Sequence, residues 1–414
     1  MRPRVAVLVD LPREKTAGGH VKYWENIARA AADDASVAVD LTVYFSGRGE
    51  DEALSPHVRF RFLPPVFSSA RLPFLPYTPA HTDLAPFHRA LAKELPFYDV
   101  IHTTDAYFAF AKTAEKMAAR QNIPLVTSFH TDTPAYAEVF TRETLAALLG
   151  KKIGGAADRA LSLSLRERKS KEARLEKHLR ACAAILALRD EDKALGERIG
   201  KTVDLLRLGV DRSVFRPDNE ARRKIAQDYG LPSDVFWALF VGRVDVGKNM
   251  PLLLEACVRA VDQGANLHLL VAGLGPCCAE VASRLGPRAT LAGHVLPETL
   301  ATFYAASDVL CMASDIEIGG LIGAEALSCG CPLLVSQSSG VAALYGESLA
   351  IGAVPSDAGS WADALVLWSK DREANARRHE EAFRLGQRHV ADWRAVFKET
   401  FLPVWRRVAK KENR

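Results

Sequence analysis

Two carboxylates eight positions apart, Glu317 and Glu325, enclose the run Ile318-Gly319-Gly320-Leu321-Ile322-Gly323-Ala324. An apolar stretch at 309–312 precedes it and another at 331–335 follows, so the spacing predicts strand, glycine turn, helix and strand. At such a turn the backbone N–H groups of Gly320, Leu321, Ile322 and Gly323 point toward the positive end of the helix, where a phosphate fits. Glu325 is expected in the first helical turn, accepting hydrogen bonds from ribose hydroxyls, and Glu317 at the strand end, facing a sugar. A first-turn glutamate also serves the helix dipole alone, and a glycine pair also serves a plain turn.

About 75 residues upstream, the apolar run 236–241 leads into Gly242-Arg243-Val-Asp-Val-Gly-Lys248-Asn, and helical character resumes at Pro251. Two cations thus share one strand-to-helix loop. A diphosphate leaving group gathers negative charge as its bond to a sugar breaks, and an arginine and a lysine aimed at it stabilise that charge as a metal ion would. Taken singly, each cation reads equally as a solvated loop residue.

The set Gly242-Arg243…Lys248, Leu270-Val-Ala-Gly273-Leu-Gly275-Pro276, Gly293-His-Val295 and Glu317…Glu325 resembles the C-terminal domain of the retaining GT-B glycosyltransferases of family 4, in order and spacing. In the N-terminal half, Pro12 to Gly18-Gly19-His20 resembles that family's glycine loop, Phe129-His130-Thr131-Asp132 its central histidine segment, and Leu206 to Pro217 its interdomain junction. The resemblance covers nearly the whole chain. It implies an α/β GT-B architecture of two doubly wound Rossmann-like domains facing across a cleft, with a final helix crossing back. The boundaries expected are 1–210 for the acceptor-side domain, 211–390 for the nucleotide-sugar domain and 391–414 for the returning helix.

By the same resemblance, His130 donates to the donor sugar, Arg243 and Lys248 hold the diphosphate, Glu317 fixes sugar hydroxyls and Glu325 holds the ribose. Gly19, Gly242, Gly320, Leu321 and Ile322 line the donor, and main chain near Val295 grips its base. The implied donor is a UDP-, GDP- or ADP-sugar with no cofactor and no metal, and the acceptor a glycan or lipid-linked glycan. His20 and Asp105 are weaker candidates on the acceptor side. The sequence departs from the family pattern at Gly319, where an aromatic residue is common, and at Gly247, where a glutamate often precedes the lysine. A nucleotide-sugar 2-epimerase and a catalytically silent binding protein are the rival readings; the intact set of five polar residues speaks against the silent one.

The elements that must position these groups alternate along the chain. Apolar runs at 5–9, 39–45, 58–62, 100–102, 125–129, 183–188 and 205–208 are separated by helical stretches such as 24–32 and 109–120, which predicts a mostly parallel sheet. The proline-rich segment 63–86 breaks the rhythm and reads as an irregular loop. Near the end, Trp393, Val396, Phe397, Thr400 and Phe401 fall at helical spacing, and Pro403 is expected to interrupt that helix.

With 414 residues, 48% hydrophobic and 25% charged, the chain suits a globular enzyme of two or three domains. A net charge of only +4 gives no nucleic-acid footprint. Seven cysteines without a CxxC pair suggest reduced thiols in a cytoplasmic protein. The short apolar run after Met1 reads as a first strand rather than a signal peptide. Asp190-Glu-Asp192 formally matches a metal-binding D-x-D, but acidic first-turn residues of a helix at 193–199 explain it. The basic runs 166–180 and 405–411 could rest peripherally on an anionic membrane, although interspersed glutamates favour a solvated helix for the first.

Overall fold

The central strands of this chain read as near-continuous apolar runs, as expected where both faces of a parallel sheet are covered. The computed structural model describes residues 2–14, 17–34, 39–71 and 83–411. It divides into two units, Met1–Arg207 with Trp393–Arg414, and Leu208–Asp392.

The first unit carries β1 (Arg4–Pro12), β2 (Asp40–Ser46), β3 (Glu52–Ser55), β4 (Val58–Leu63), β5 (Val100–Thr103), β6 (Leu125–Ser128), β7 (Ala184–Ala187) and β8 (Val203–Leu205). They form one sheet in the order β3-β4-β2-β1-β5-β6-β7-β8, parallel except for the β3–β4 pair. Val5 through Val9 of the central β1 are wholly inaccessible. Helix Gly19–Ala32 turns Val21, Trp24, Ile27, Ala28 and Ala31 inward, an i, i+3, i+4 stripe that packs along the sheet. Helix Ala109–Gln121 stops at Asn122, whose left-handed backbone (φ 54) closes the last turn.

The second unit holds β9 (Gly209–Val210), β10 (Phe236–Val241), β11 (Leu267–Ala272), β12 (Ala289–Gly293), β13 (Val309–Met312), β14 (Leu333–Ser336), β15 (Ile351–Val354) and β16 (Ala391–Asp392). Six of them make an all-parallel sheet in the order β12-β11-β10-β13-β14-β15. The strand order reverses between β10 and β13, the position at which open α/β sheets leave a crevice at their carboxyl ends. β9 and β16 pair in parallel apart from that sheet.

Several expectations are corrected. The run 205–208 is not one strand: β8 ends at Leu205, β9 starts at Gly209, and the three residues between them link elements of different sheets. β3 carries no clean apolar alternation and went unread. Pro403 does not interrupt the last helix. A π-helical turn, Phe397–Phe401, closes with Leu402 N–H on the Phe397 carbonyl, and in that shifted register the chain runs on as helix Leu402–Lys411. Of the proline-rich segment, Pro73, Pro76 and Pro79 lie outside the described residues. Its base is tied by Asp83, which accepts from the N–H groups of Val66 (2.8 Å), Phe67 (3.0 Å) and Ala85 (3.0 Å).

Candidate active site

Arg243, Lys248 and Glu317 stand on the loops that leave β10 and β13, the two neighbours at the reversal of strand order. Those loops are stapled together. Asn249 Nδ2 donates to the Ala313 carbonyl at 3.1 Å, and Ser314 Oγ donates to the Gly247 carbonyl at 3.0 Å. Asp245 organises the cation loop by accepting from the Lys248 N–H (3.1 Å) and pairing with the Arg243 guanidinium (3.2 Å). The Lys248 ammonium ion-pairs with Glu317, both side chains about one-fifth exposed. The pair fixes the ammonium at the carboxyl edge of the sheet, between the two stapled loops.

Glycine is required on the adjoining turn for a steric reason. A Cβ on Gly273 would lie 1.8 Å from the Gly242 carbonyl oxygen, and one on Gly275 would lie 2.3 Å from that of Val244. The loops after β10 and β11 are bonded that closely by Gly242 N–H to Ala272 O and Val244 N–H to Leu274 O, each 3.0 Å. Val295 follows β12 by two residues on the same carboxyl edge, half-buried.

The glycine turn after β13 matches expectation in outline and differs in register. Gly320 adopts a left-handed backbone (φ 58) and precedes helix Leu321–Ser328. A Cβ there would come within 2.5 Å of Met312 Cε and 3.1 Å of Val341 Cγ2. The Gly323 N–H is not free for an anion, because it donates to the Gly320 carbonyl at 2.8 Å. The open N–H groups at the helix start are those of Leu321 and Ile322. Glu325 is the fifth helical residue, one turn later than read from sequence. Its carboxylate accepts from the Tyr304 hydroxyl at 3.1 Å, and burial pushes its carboxyl up to about 8 against the pull of that hydrogen bond. Asp245, Asn249, Ser314 and Tyr304 are positioning residues that the sequence reading missed.

In the first unit His130 lies just beyond β6, where Phe129 N–H still bonds across to the Leu186 carbonyl at 3.1 Å. Asp132 then caps helix Thr133–Leu149 through the Ala135 N–H (3.0 Å) and pairs with Arg189 (3.0 Å). The His130 ring stacks on His20 at 4.6 Å and 13°, and Tyr23 and Trp24 meet it edge-on. Its Nε2 lies 2.8 Å from Ser128 Oγ, which lies 2.9 Å from His102 Nε2, and Trp405 Nε1 donates to His102 Nδ1 at 3.0 Å. Burial lowers His20 to about 4 and His102 to about 3; His130 falls well below the ordinary range, through burial first and then the neighbouring His20 and His102. All three rings are neutral near pH 7. Gly18 and Gly19 open the first helix exposed, and a Cβ on Gly18 would touch nothing within 4 Å, which leaves room for a ligand.

The lesser candidates find structural roles. Asp105 accepts from Tyr107 N–H (2.7 Å) and Phe108 N–H (3.1 Å) at a helix entry. Asp190 to Asp192 form the first turn of helix Asp190–Arg198, which starts three residues before the expected one, and Asp192 is gripped by Arg189 at 2.7 and 2.8 Å. Cations of helix Leu163–Ala181 are paired with Glu167, Glu172 and Glu176 on the same helix and with Glu115 and Glu138 beyond it. Trp405 is wholly buried, so no aromatic faces outward from that position. Among the described residues no helix is long and apolar enough to cross a membrane.

Known proteins resemble this chain along both units. Residues 17–214 match the family described as Glycosyltransferase Family 4, and residues 236–371 match Glycosyl transferases group 1. A D-inositol 3-phosphate glycosyltransferase from Thermomonospora curvata is 30% identical over 271 residues, 59% of this chain and 57% of that relative's length. The sucrose-phosphate synthase of Thermosynechococcus elongatus superposes with a TM-score of 0.72 at 19% identity, over 99% of this chain and all of that one. Anabaena HepE, solved in complex with UDP and glucose, gives 0.65 at 14% identity over 97% and 99% of the two chains.

Proposed function

Because the chain belongs to family 4 (group 1) of the glycosyltransferases and has the two Rossmann-like bodies of the GT-B fold, we propose that it is a metal-independent, retaining hexosyltransferase. It moves a hexosyl unit from a UDP-, GDP- or ADP-sugar to a hydroxyl of a glycan or lipid-linked acceptor. The observation that carries this reading is the convergence of Arg243, Lys248, Glu317 and the Leu321–Ile322 N–H groups at the carboxyl edge of β10 and β13.

In this reading the open N–H groups and the two cations receive the diphosphate. As the bond between the anomeric carbon and the diphosphate oxygen breaks, Arg243 and Lys248 stabilise the charge that develops on the leaving group. The acceptor oxygen bonds to the same face of the sugar, and its proton passes to the departing diphosphate. Glu317 holds sugar hydroxyls, Glu325 the ribose, and His130 donates to the sugar. The UDP complex of the Anabaena neighbour supports a nucleotide donor. Exposed Leu161 and Leu165 support peripheral contact with an anionic membrane while the glutamate partners of the cations on helix Leu163–Ala181 weigh against it, and sedimentation with anionic vesicles decides.

Thermal shift with UDP, GDP and ADP tests the donor assignment, since a ligand that binds only the folded chain raises its melting point. One nucleotide is expected to stabilise equally with and without EDTA. A requirement for Mn2+ or Mg2+ overturns the metal-independent assignment, and turnover of donor without acceptor to its 2-epimer makes the protein an isomerase.

A further inference from the structure

We propose that Trp405, on the terminal helix, sets the proton of His130 through His102 and Ser128, so that His130 meets its ligand as an Nδ1–H donor. This rests on the reading of His130 as a residue that touches the donor sugar.

The direction of each bond follows from what each group can do. The indole Nε1–H of Trp405 can only donate, so His102 Nδ1, 3.0 Å away, must accept. His102 is inaccessible and neutral, and a neutral imidazole carries one proton, which then sits on Nε2. That proton is given to Ser128 Oγ at 2.9 Å. Were the hydroxyl to donate to His102 instead, the ring would hold no proton at all. The serine hydrogen meets no acceptor other than His130 Nε2 among the described residues and is donated there at 2.8 Å. With Nε2 accepting, the single proton of His130 occupies Nδ1, which has no hydrogen-bond partner among the described residues. Each member is held in place. Trp405 is flanked by Phe397 and Phe401 of the π-helical turn, and His102 by Trp24 and Phe401. Ser128 and His130 stand two apart at the end of β6, and His102 lies on the adjacent β5.

Ser128, His102 and Trp405 are thus positioning residues. A ring with the opposite tautomer would present a lone pair at Nδ1, so a sugar hydroxyl would have to donate instead of accept and the polarity of the contact would reverse. The arrangement gives the helix Leu402–Lys411 a direct part in the chemistry of a residue more than 270 positions earlier in the chain.

The test is ring 15N–1H NMR of the full chain labelled at histidine, with His130 assigned by its loss in His130→Gln. The intact protein is expected to show His130 protonated at Nδ1. Trp405→Phe keeps the ring packing but removes the directing N–H, and a shift toward Nε2 protonation is expected. Ser128→Ala cuts the relay beside His130 with little change in volume, and kcat is expected to fall about tenfold, the worth of one hydrogen bond. Ser128→Thr, which keeps the hydroxyl, should restore turnover with KM little changed in both variants. An Nε2-protonated His130 in the intact protein, or a Trp405→Phe spectrum identical to it, overturns the relay. An Nδ1 proton with full turnover in His130→Gln leaves the relay standing and removes His130 from the reaction.

Discussion

Lys248 is held by the Glu317 carboxylate, which a diphosphate bound as proposed would have to outcompete in charge. Lys248→Ala and Arg243→Ala are each expected to lower kcat by about 100-fold or more, the usual cost of losing one preorganised charge on a developing oxyanion. Circular dichroism should show the fold intact. Because Lys248 and Glu317 are paired, the double variant with Glu317→Ala should lose less than the product of the two single losses. The glutamates themselves separate by ligand. Glu325→Ala should weaken the free nucleoside diphosphate by about tenfold, one lost hydrogen bond, whereas Glu317→Ala, which frees Lys248 from its competing carboxylate, should not weaken that affinity and should lower turnover of the whole donor. Calorimetric titration decides it, and equal losses in both variants would reverse the assigned roles.

Among the elements, the glycine turns mark where backbone crowding sets the site. Gly273→Ala drives a Cβ into the Gly242 carbonyl, backbone of a residue tied to β11 by its own N–H, and should destabilise by on the order of 3 kcal/mol or more. Gly320→Ala meets chiefly the mobile end of Met312 and a left-handed backbone, and should cost about 1–2 kcal/mol. Urea melts of both variants check the ranking. Much of this was legible in sequence, since doubly covered strands such as β10 are continuous apolar runs and the turns after β10, β11 and β13 carry glycines. Element ends and long-range partners were not. Glu325 fell one turn late because the helix starts at Leu321, inside the run read as the glycine turn, and not after it. The strand read at 205–208 failed because an apolar run that links two sheets looks like a strand until its pairing is known. Pro403 misled because a π turn has no marker in composition. The Ser128 hydroxyl two residues before His130 was a visible hint, but His102 and Trp405 join it only through the fold.

Across the whole molecule, the buried histidines of the first unit and the buried Glu325 of the second carry opposite linkage to protons. In the first, His20 near 4 and His102 near 3 lie below the ordinary histidine value of 6.5. As pH falls from 6.5 the unfolded chain binds protons before the folded one, so stability present above 6.5 is lost toward those values. For His20 alone this is on the order of 3 kcal/mol. In the second unit Glu325, near 8 against an ordinary 4.5, keeps its proton folded and loses it unfolded, so stability present below 4.5 is lost as pH rises through 8. Asp10 and Asp105, raised by burial, act in the Glu325 sense within the first unit, so single groups must be read by difference. The Tm of His20→Gln minus that of the parent should grow as pH falls from 6.5 to 4.5. For Glu325→Gln the same difference should grow as pH rises from 5 to 8. The second trend bears on function. A ribose held by ionised Glu325 requires that proton to leave below pH 8, so nucleotide binding at pH 7 should release it, and the measured heat should vary with the ionisation enthalpy of the buffer. A heat independent of buffer would mean that the carboxyl keeps its proton when the nucleotide binds, and that the ribose is met by a neutral acid.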